Sequence, residues 1–378
     1  MIIPIFTPHG GCPERCRFCD QSVSGGDPVS HARVRATIEA HLATSPDGRA
    51  EEIAFYGGTF TAMTKERQLA YLSAAKPYLD GGLIGAVRVS TRPDALDRDW
   101  LARLRDGFRL RTVELGVQSV SATVLERLGR SHGVECIEPA LDLLGELGLV
   151  AGLHFMVGCP GEAEDDDRRC LEFLARVRAR VRYARLHPLL VLADTALEND
   201  FRAGLFAPIP LEIAVERCAA LTEKIEALGI RVIRLGLQPN EILAESIVAG
   251  PFHPAFGDLV RGRILRNRVA GMLENRAKSA EGKGDRRRPP GLDVEVRVPE
   301  ALLGRFKGPR AANLDWLKRR FNLSTLRVVV VQKAATHGHE SNTENGGENR
   351  LQYECSGGAI GIRDVARPSE RRQIELSQ

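Results

Sequence analysis

A chain of 378 residues with 43% hydrophobic and 27% charged residues has the composition of a folded globular protein, long enough for a barrel-sized core and an accessory piece. A net charge of +4 is too small to name a partner by itself, and the longest apolar runs, such as Leu189 to Ala193, cannot span a bilayer, so a cytoplasmic protein without a membrane partner is expected. Eight cysteines do not imply a disulfide framework, because three crowd together while Cys136, Cys159, Cys170, Cys218 and Cys355 stand singly.

From the amino end, short β-branched runs alternate with helical stretches: Ile2 to Phe6, Ile53 to Tyr56, Ala86 to Ser90, Thr112 to Gln118, Leu149 to Val157, Ala184 to Leu192 and Arg231 to Leu237. Enough chain separates successive runs for a helix, which predicts parallel strands. Ser30 and Asp97 suit helix N-caps, and Gly129, Gly148 and Gly229 suit helix stops. Six or seven such units can form an open doubly wound sheet or a barrel, complete or partial; either places chemistry at the carboxyl ends of the strands.

Near residue 275 the stretch RAKSAEGKGDRRRPPG is polar, basic and turn-rich, as linkers are. Beyond it, Leu292 to Val298 and Leu326 to Val331 read as strands around an amphipathic helix from Ala311 to Phe321. From about Ala334 onward apolar periodicity is lost, which predicts a disordered tail.

The chemistry concentrates after the first strand. His9-Gly10-Gly11-Cys12-Pro13-Glu14-Arg15-Cys16-Arg17-Phe18-Cys19 is a C-x3-C-x2-C loop whose short gaps can wrap three thiolates around one face of a cubane while its glycines let the backbone turn. Three ligands for four irons leave one iron open, as a reaction centre requires. The alternative is structural zinc with His9 as fourth ligand, although no second C-x2-C or H-x3-H pair accompanies it.

Cys12, Cys16 and Cys19 resemble the signature of the radical S-adenosylmethionine superfamily. The resemblance implies a [4Fe-4S] cluster, S-adenosyl-L-methionine chelated at the open iron, reductive cleavage to a 5′-deoxyadenosyl radical, and a reductant such as flavodoxin or ferredoxin. It implies further that Gly57, Gly58 and Thr59 receive the methionine ammonium through their backbone, and that Phe18 packs by the adenine; simple loop packing fits Phe18 equally well. In Thr112 to Ser119 the alternation sets Glu114, Gly116 and Gln118 on one face, where buried polar groups need partners.

Gln118 with Arg130 is similar to the pattern of oxygen-independent coproporphyrinogen oxidase and the Elongator catalytic subunit, where the pair contacts ribose and carboxylate. A surface arginine is the competing assignment for Arg130. The run Gly152 to Gly161 resembles the same families' strand ending in a Gly-x-Pro turn. It places His154 toward the adenosine, or else among satisfied core histidines, and leaves Cys159 to packing.

Ser90-Thr91-Arg92-Pro93-Asp94 is similar to the Elongator run Glu-Thr-Arg-Pro-Asp, with Ser90 in place of the acid. The chain after residue 260 lacks the length and glycine pattern of an acetyltransferase domain. Together these features predict an α/β protein: a partial (β/α)6 TIM-type barrel over 1–260, a basic helix and linker over 261–291, a small α+β module over 292–333, and a disordered tail over 334–378. The module is loosely similar to a KH fold, with Leu303 to Gly308 in its loop and Arg310, Lys318, Arg319 and Arg320 nearby, or is a small cap with a solvated basic face. Two substrate classes follow: tRNA, from the Elongator-like runs, or a small metabolite or tetrapyrrole, from Gln118 and Arg130. A non-catalytic, zinc-stabilised nucleic-acid-binding protein is the reading from another class.

Overall fold

The computed structural model describes residues 1–13, 15–20, 30–237, 241–281, 292–331, 351–355 and 358–364. The chain forms two compact units, Met1–Phe256 and Gly257–Gln378.

In the first unit strand and helix alternate as the sequence predicts. In chain order they are β1 (Ile2–Phe6), α1 (His31–Thr44), β2 (Ala50–Tyr56), α2 (Lys65–Asp80), β3 (Ile84–Thr91), α3 (Arg98–Phe108), β4 (Leu110–Gln118), α4 (Ala122–Arg127), α5 (Ile137–Glu146), β5 (Val150–Val157), α6 (Asp166–Val177), β6 (Tyr183–Pro188), β7 (Val191–Leu192), α7 (Ala196–Arg202), α8 (Leu211–Ala227), β8 (Arg231–Leu235), α9 (Glu241–Ser246) and β9 (Ile247–Ala249). Seven strands pair in parallel in the order β1-β2-β3-β4-β5-β6-β8. The fold is α/β, a partial barrel.

Helix ends follow their caps. The Ser30 side chain accepts from Arg33 N and that of Asp97 from Trp100 N, while Gly129, Gly148 and Gly229 take positive φ just past α4, α5 and α8, a conformation glycine adopts without a Cβ penalty. The run expected as one strand from Ala184 to Leu192 is broken at Pro188, and Val191–Leu192 pairs antiparallel with β9 in a separate ribbon.

The period of two along each strand divides the sheet into an apolar and a polar face. Ile53 and Phe55, Val87 and Val89, Val113 and Leu115, and Leu153 and Phe155 are all buried, each worth about 2 kcal/mol of transfer free energy. Glu52, Arg88, Glu114, His154 and Arg185 occupy the intervening positions.

The second unit holds most of α10 (Phe256–Glu281), then β10 (Leu292–Pro299), α11 (Leu303–Lys307), α12 (Ala312–Phe321), β11 (Leu323–Val331), β12 (Leu351–Cys355) and β13 (Gly358–Asp364). Its sheet runs β11-β10-β13-β12, with β10 and β11 parallel and β13 antiparallel to both neighbours. Leu265, Val269, Met272 and Leu273 of α10 pack with Val294, Val296, Val298, Phe306 and Leu317.

Two expectations are corrected here. The Leu303 to Gly308 segment expected in a loop is largely helical, because Phe306 is drawn fully into the core. The stretch expected to be a disordered tail contributes β12 and β13, with Ile362 buried in that core. The linker residues 282–291, and 332–350 and 365–378 of the tail, lie outside the described residues.

Candidate active site

The cysteine loop is seated by crossing glycine backbones. Thr7 Oγ1 donates to the carbonyls of Tyr56 and Gly57, each at 3.1 Å, joining the ends of β1 and β2. Thr59 N donates to Gly10 O at 2.7 Å. A Cβ on Gly58 would lie 2.2 Å from Gly10 O, and one on Gly11 would lie 2.2 Å from Thr59 O, distances no side chain tolerates. Both glycines also have positive φ. The Gly57-Gly58 pair thus has a local structural duty, the close approach of the cysteine loop, whatever it binds besides.

The far half of the loop is anchored between α4 and α7. Arg17 N donates to Leu128 O at 3.0 Å, Leu197 N donates to Arg17 O at 2.7 Å, and the Arg17 guanidinium meets Asp200 at 2.5 Å. Phe18 packs on the apolar cluster of Val124, Leu128, Cys159, Leu189, Val191 and Leu197. Its loop-packing role is therefore present, and the same ring lines the cavity described next.

A cavity of about 910 Å³ occupies the strand carboxyl ends and the polar face of the sheet, and all eleven residues singled out in the sequence line it: Cys12, Cys16, Cys19, Phe18, Gly57, Gly58, Thr59, Ser90, Gln118, Arg130 and His154. None of the three thiols is in a disulfide, and all are partly exposed. Cys12 Sγ lies 3.6 Å from Thr59 Oγ1, and Arg130 Nη1 donates to Cys16 Sγ at 3.3 Å. Arg130 is thus no surface residue, since its Nη2 also donates to Gly116 O at 2.8 Å.

Gly116 leaves room for this packing, for a Cβ there would stand 3.1 Å from Gln118 Nε2 and 3.7 Å from Arg130 Nη2. Gln118 sits at φ 65°, where the register of β4 against β5 slips. Strained non-glycine backbone of this kind persists where its surroundings hold it.

These residues fit a cluster and a polar organic ligand. The donors are soft sulfurs on one short loop facing one chamber, with a cationic N–H on one of them. Buried in the chamber wall, Gln118 Oε1, Arg130 Nε and His154 Nε2 have no hydrogen-bond partner in the protein, and groups in that state are expected to meet a ligand or water. Among the described residues no three His, Cys, Asp or Glu side chains are already grouped around one metal position, which holds for zinc and for a cluster alike, and His9 Nε2 lies 3.6 Å from Asp20 Oδ1.

Ser90 lines the cavity beside a run held by its own contacts. Arg92 Nε and Nη2 pair with Asp94 at 2.9 and 2.5 Å, and Nη2 also reaches Ser131 Oγ at 2.5 Å. The Gly158-Cys159-Pro160-Gly161 turn is fastened by Glu162, whose carboxylate accepts from Gly158 N at 2.7 Å and Cys159 N at 2.8 Å. Burial pushes the Cys159 thiol well up, as suits a packing residue.

Several residues of the chamber escaped sequence reasoning. Arg88, 3% exposed, donates from Nε to Glu52 at 2.7 Å and from Nη1 to Glu114 at 2.5 Å. Arg185 shares Glu114, with Nε at 2.7 Å and Nη2 at 2.9 Å, and donates to the Tyr56 hydroxyl at 2.6 Å. Burial and the Glu114 carboxylate raise the Tyr56 pKa, so its phenol stays protonated. His154 meets His187 edge-to-face at 4.2 Å between ring centres. Burial, with Arg185 and Arg130 nearby, pushes His154 down to about 3, and burial, with His154 beside it, holds His187 well below the ordinary imidazole range. Both imidazoles are neutral near pH 7. The available signal was the charged residue at alternate positions of apolar runs, which named Glu114 as needing partners but could not say which.

The site is thus a cysteine loop at the strand ends of a parallel partial barrel, opening on a polar chamber that reaches down the sheet. Residues 6–174 match the model of the radical SAM superfamily, and residues 181–266 that of the radical SAM C-terminal domain. The chain belongs to the radical SAM superfamily and is a radical SAM enzyme.

It is similar to protein YhcC of Escherichia coli, 28% identical over 221 residues that cover 54% of this chain and 69% of that protein. It is also similar to the tRNA uridine(34) acetyltransferase of Methanocaldococcus infernus, 25% identical over 299 residues covering 68% of this chain and 55% of that protein. The heme chaperone HemW of Mycobacterium tuberculosis is 27% identical over 228 residues, 58% of this chain and 57% of that protein. Thus the chain spans little more than half of the latter two. Among solved structures, the archaeal Methanocaldococcus infernus Elp3 with an N-terminal deletion superposes with a TM-score of 0.56 at 24% identity, covering 76% of this chain and 64% of that one, a likeness of fold. Among the described residues no helix is long and apolar enough to cross a membrane.

Proposed function

We propose that this protein holds a [4Fe-4S] cluster through Cys12, Cys16 and Cys19, reductively cleaves S-adenosyl-L-methionine, and modifies tRNA. The observation that carries the first part is the convergence of the three thiols and every residue assigned to the cofactor on one cavity. When bound, the cluster supplies the electron that cleaves the sulfonium, taken from a small reductant such as flavodoxin or ferredoxin.

The chain's own residues orient and shield. Arg130, already donating to Cys16 Sγ, brings a forked cation to the methionine carboxylate, and the Gly57-Gly58-Thr59 backbone takes the ammonium. Gln118 Oε1 and the neutral His154 Nε2, both buried without partners, accept from ribose hydroxyls and adenine. Ser90 and Phe18 complete the wall of that subsite.

The tRNA assignment is supported by the acetyltransferase relatives, named for a tRNA uridine, and by the Thr91-Arg92-Pro93-Asp94 run held at the cavity. The β10–α11–α12–β11 unit would add phosphate contacts from Arg310, Lys318 and Arg319, in a KH-like manner. The heme chaperone relative supports the second reading, a small metabolite or tetrapyrrole.

Anaerobic reconstitution with iron and sulfide, then dithionite and S-adenosylmethionine, should yield 5′-deoxyadenosine. Absence of that nucleoside from protein with a full complement of iron and sulfide would refute the cleavage. Filter binding should detect bulk tRNA at low salt; no retention there would leave the small-molecule reading.

A further inference from the structure

Two side chains of the chamber reach the cysteine sulfurs themselves. Cys12 Sγ lies 3.6 Å from Thr59 Oγ1, and Arg130 Nη1 donates to Cys16 Sγ at 3.3 Å. Between a thiol and a hydroxyl either atom can donate. A cysteine that gives up its proton to bind iron leaves a sulfur that can only accept. Thr59 is then the donor, and a guanidinium, which has no acceptor, is one already.

Both donors are fixed by the elements around the loop. Thr59 is 1% exposed, and its carbonyl accepts from Ala62 N at 3.0 Å in the turn after β2. Arg130 N donates to Leu125 O at 2.9 Å at the end of α4, and its Nη2 donates to Gly116 O at 2.8 Å on β4. Neither side chain relies on a thiol for its place.

Hydrogen bonds of this kind act on charge. Reduction adds one electron to a centre whose thiolates are already negative, and donors to those sulfurs are among the levers that set its potential. A buried donor acts strongly because little water screens it, and Arg130 adds a full positive charge.

We infer that Thr59 Oγ1 and Arg130 Nη1 set the reduction potential of the cluster, holding it above the value that the three cysteines alone would give. This rests on reading Cys12, Cys16 and Cys19 as the ligands of a [4Fe-4S] cluster. Two demands pull against each other there: a higher potential eases filling from a small reductant, and a lower one gives a stronger donor to the sulfonium. The two hydrogen bonds fix the compromise. Arg130 Nε is buried without a protein partner, so the same guanidinium keeps an N–H for the methionine carboxylate.

The test is redox titration of the reconstituted protein without S-adenosylmethionine, with electron paramagnetic resonance reading the reduced fraction at each poised potential. Leaving out S-adenosylmethionine keeps the carboxylate role of Arg130 out of the measurement. Thr59→Val keeps the backbone and nearly the shape but loses the hydroxyl. It should lower the equilibrium constant for reduction about threefold to tenfold, tenfold being about 59 mV for one electron. Thr59→Ser returns the hydroxyl and should restore most of the shift. Arg130→Met removes charge as well as donor and should lower the constant more than about tenfold.

An unchanged or raised potential in Thr59→Val or Arg130→Met, with the cluster intact, overturns the inference. So does Thr59→Ser behaving like Thr59→Val, which would trace the shift to packing. A variant that takes up no cluster also overturns it, because the group would then help to hold the iron and not tune it. Wild-type protein that forms no cluster removes the reading of the three cysteines, whereas a wild-type cluster whose potential the variants leave alone removes this inference and keeps that reading.

Discussion

The two walls of the cavity are built on opposite principles. At the cysteine end, Cys12, Cys16 and Cys19 sit on one short loop, and what holds it is largely backbone: Thr59 N on Gly10 O, Arg17 N on Leu128 O, Leu197 N on Arg17 O. On the polar face of the sheet, Glu52, Arg88, Glu114 and Arg185 come from four different strands, and what holds them is charge. Removing a thiol should therefore cost chemistry and little fold, while removing a floor charge should cost fold first. The contrast teaches that a reactive group can be carried by a loop only when the surface beneath it is locked independently.

The largest effect should come from Cys16→Ala, which should drop iron content after reconstitution and lower 5′-deoxyadenosine formation to background, with a thermal midpoint close to that of the apo wild type. An unfolded variant would break the contrast. Next comes Arg88→Met, which takes from Glu52 and Glu114 the buried cation they share, leaving Glu52 to Arg111 and Glu114 to Arg185, and should destabilise the fold by about 3 kcal/mol, read by chemical denaturation. Unchanged stability there would show the floor to be wetter than its 3% exposure indicates.

Gly58→Ala falls between the two classes. Its Cβ would collide with Gly10 O, so it should cost on the order of 2 kcal/mol in fold stability and also impair cluster incorporation. The smallest effect is a pH dependence. His154 and His132 are pushed down to about 3 and about 4, each mainly by burial. Below about pH 6.5 the unfolded chain binds protons that the folded chain refuses. Stability should thus fall as pH drops from 6.5 toward 4, by up to about 1.4 kcal/mol per pH unit for each histidine, and His154→Asn should flatten the slope by one such share. A pH-independent stability across this window would contradict the burial of these rings.

Legibility in the sequence follows the same division. The cysteine loop, the Gly57-Gly58 turn and the strand ends could be read because each signal lies within a few consecutive residues. Gln118 and His154 could be placed on the polar face because alternation is local too. Their partners could not: His187 lies on the strand after that of His154, and nothing in the Ala86 to Ser90 run tells that Arg88 reaches Glu52 on β2 and Glu114 on β4.

The alternating strands and caps gave the fold class, yet the likeness to a KH fold put Leu303 to Gly308 in a loop where the burial of Phe306 accompanies a helix. Similarly, the polar tail holds two strands, β13 paired to the edge of β10 and β12 paired to β13. Tertiary packing overrode local composition in both places.

The central claim is that the three thiols present an open metal position to S-adenosylmethionine. It is tested most directly by electron paramagnetic resonance of the dithionite-reduced, reconstituted protein before and after S-adenosylmethionine is added. The account predicts a reduced-cluster signal that changes shape on addition of S-adenosylmethionine, and no such signal in Cys16→Ala; a spectrum indifferent to S-adenosylmethionine, or protein carrying stoichiometric zinc with no cluster signal, would contradict it.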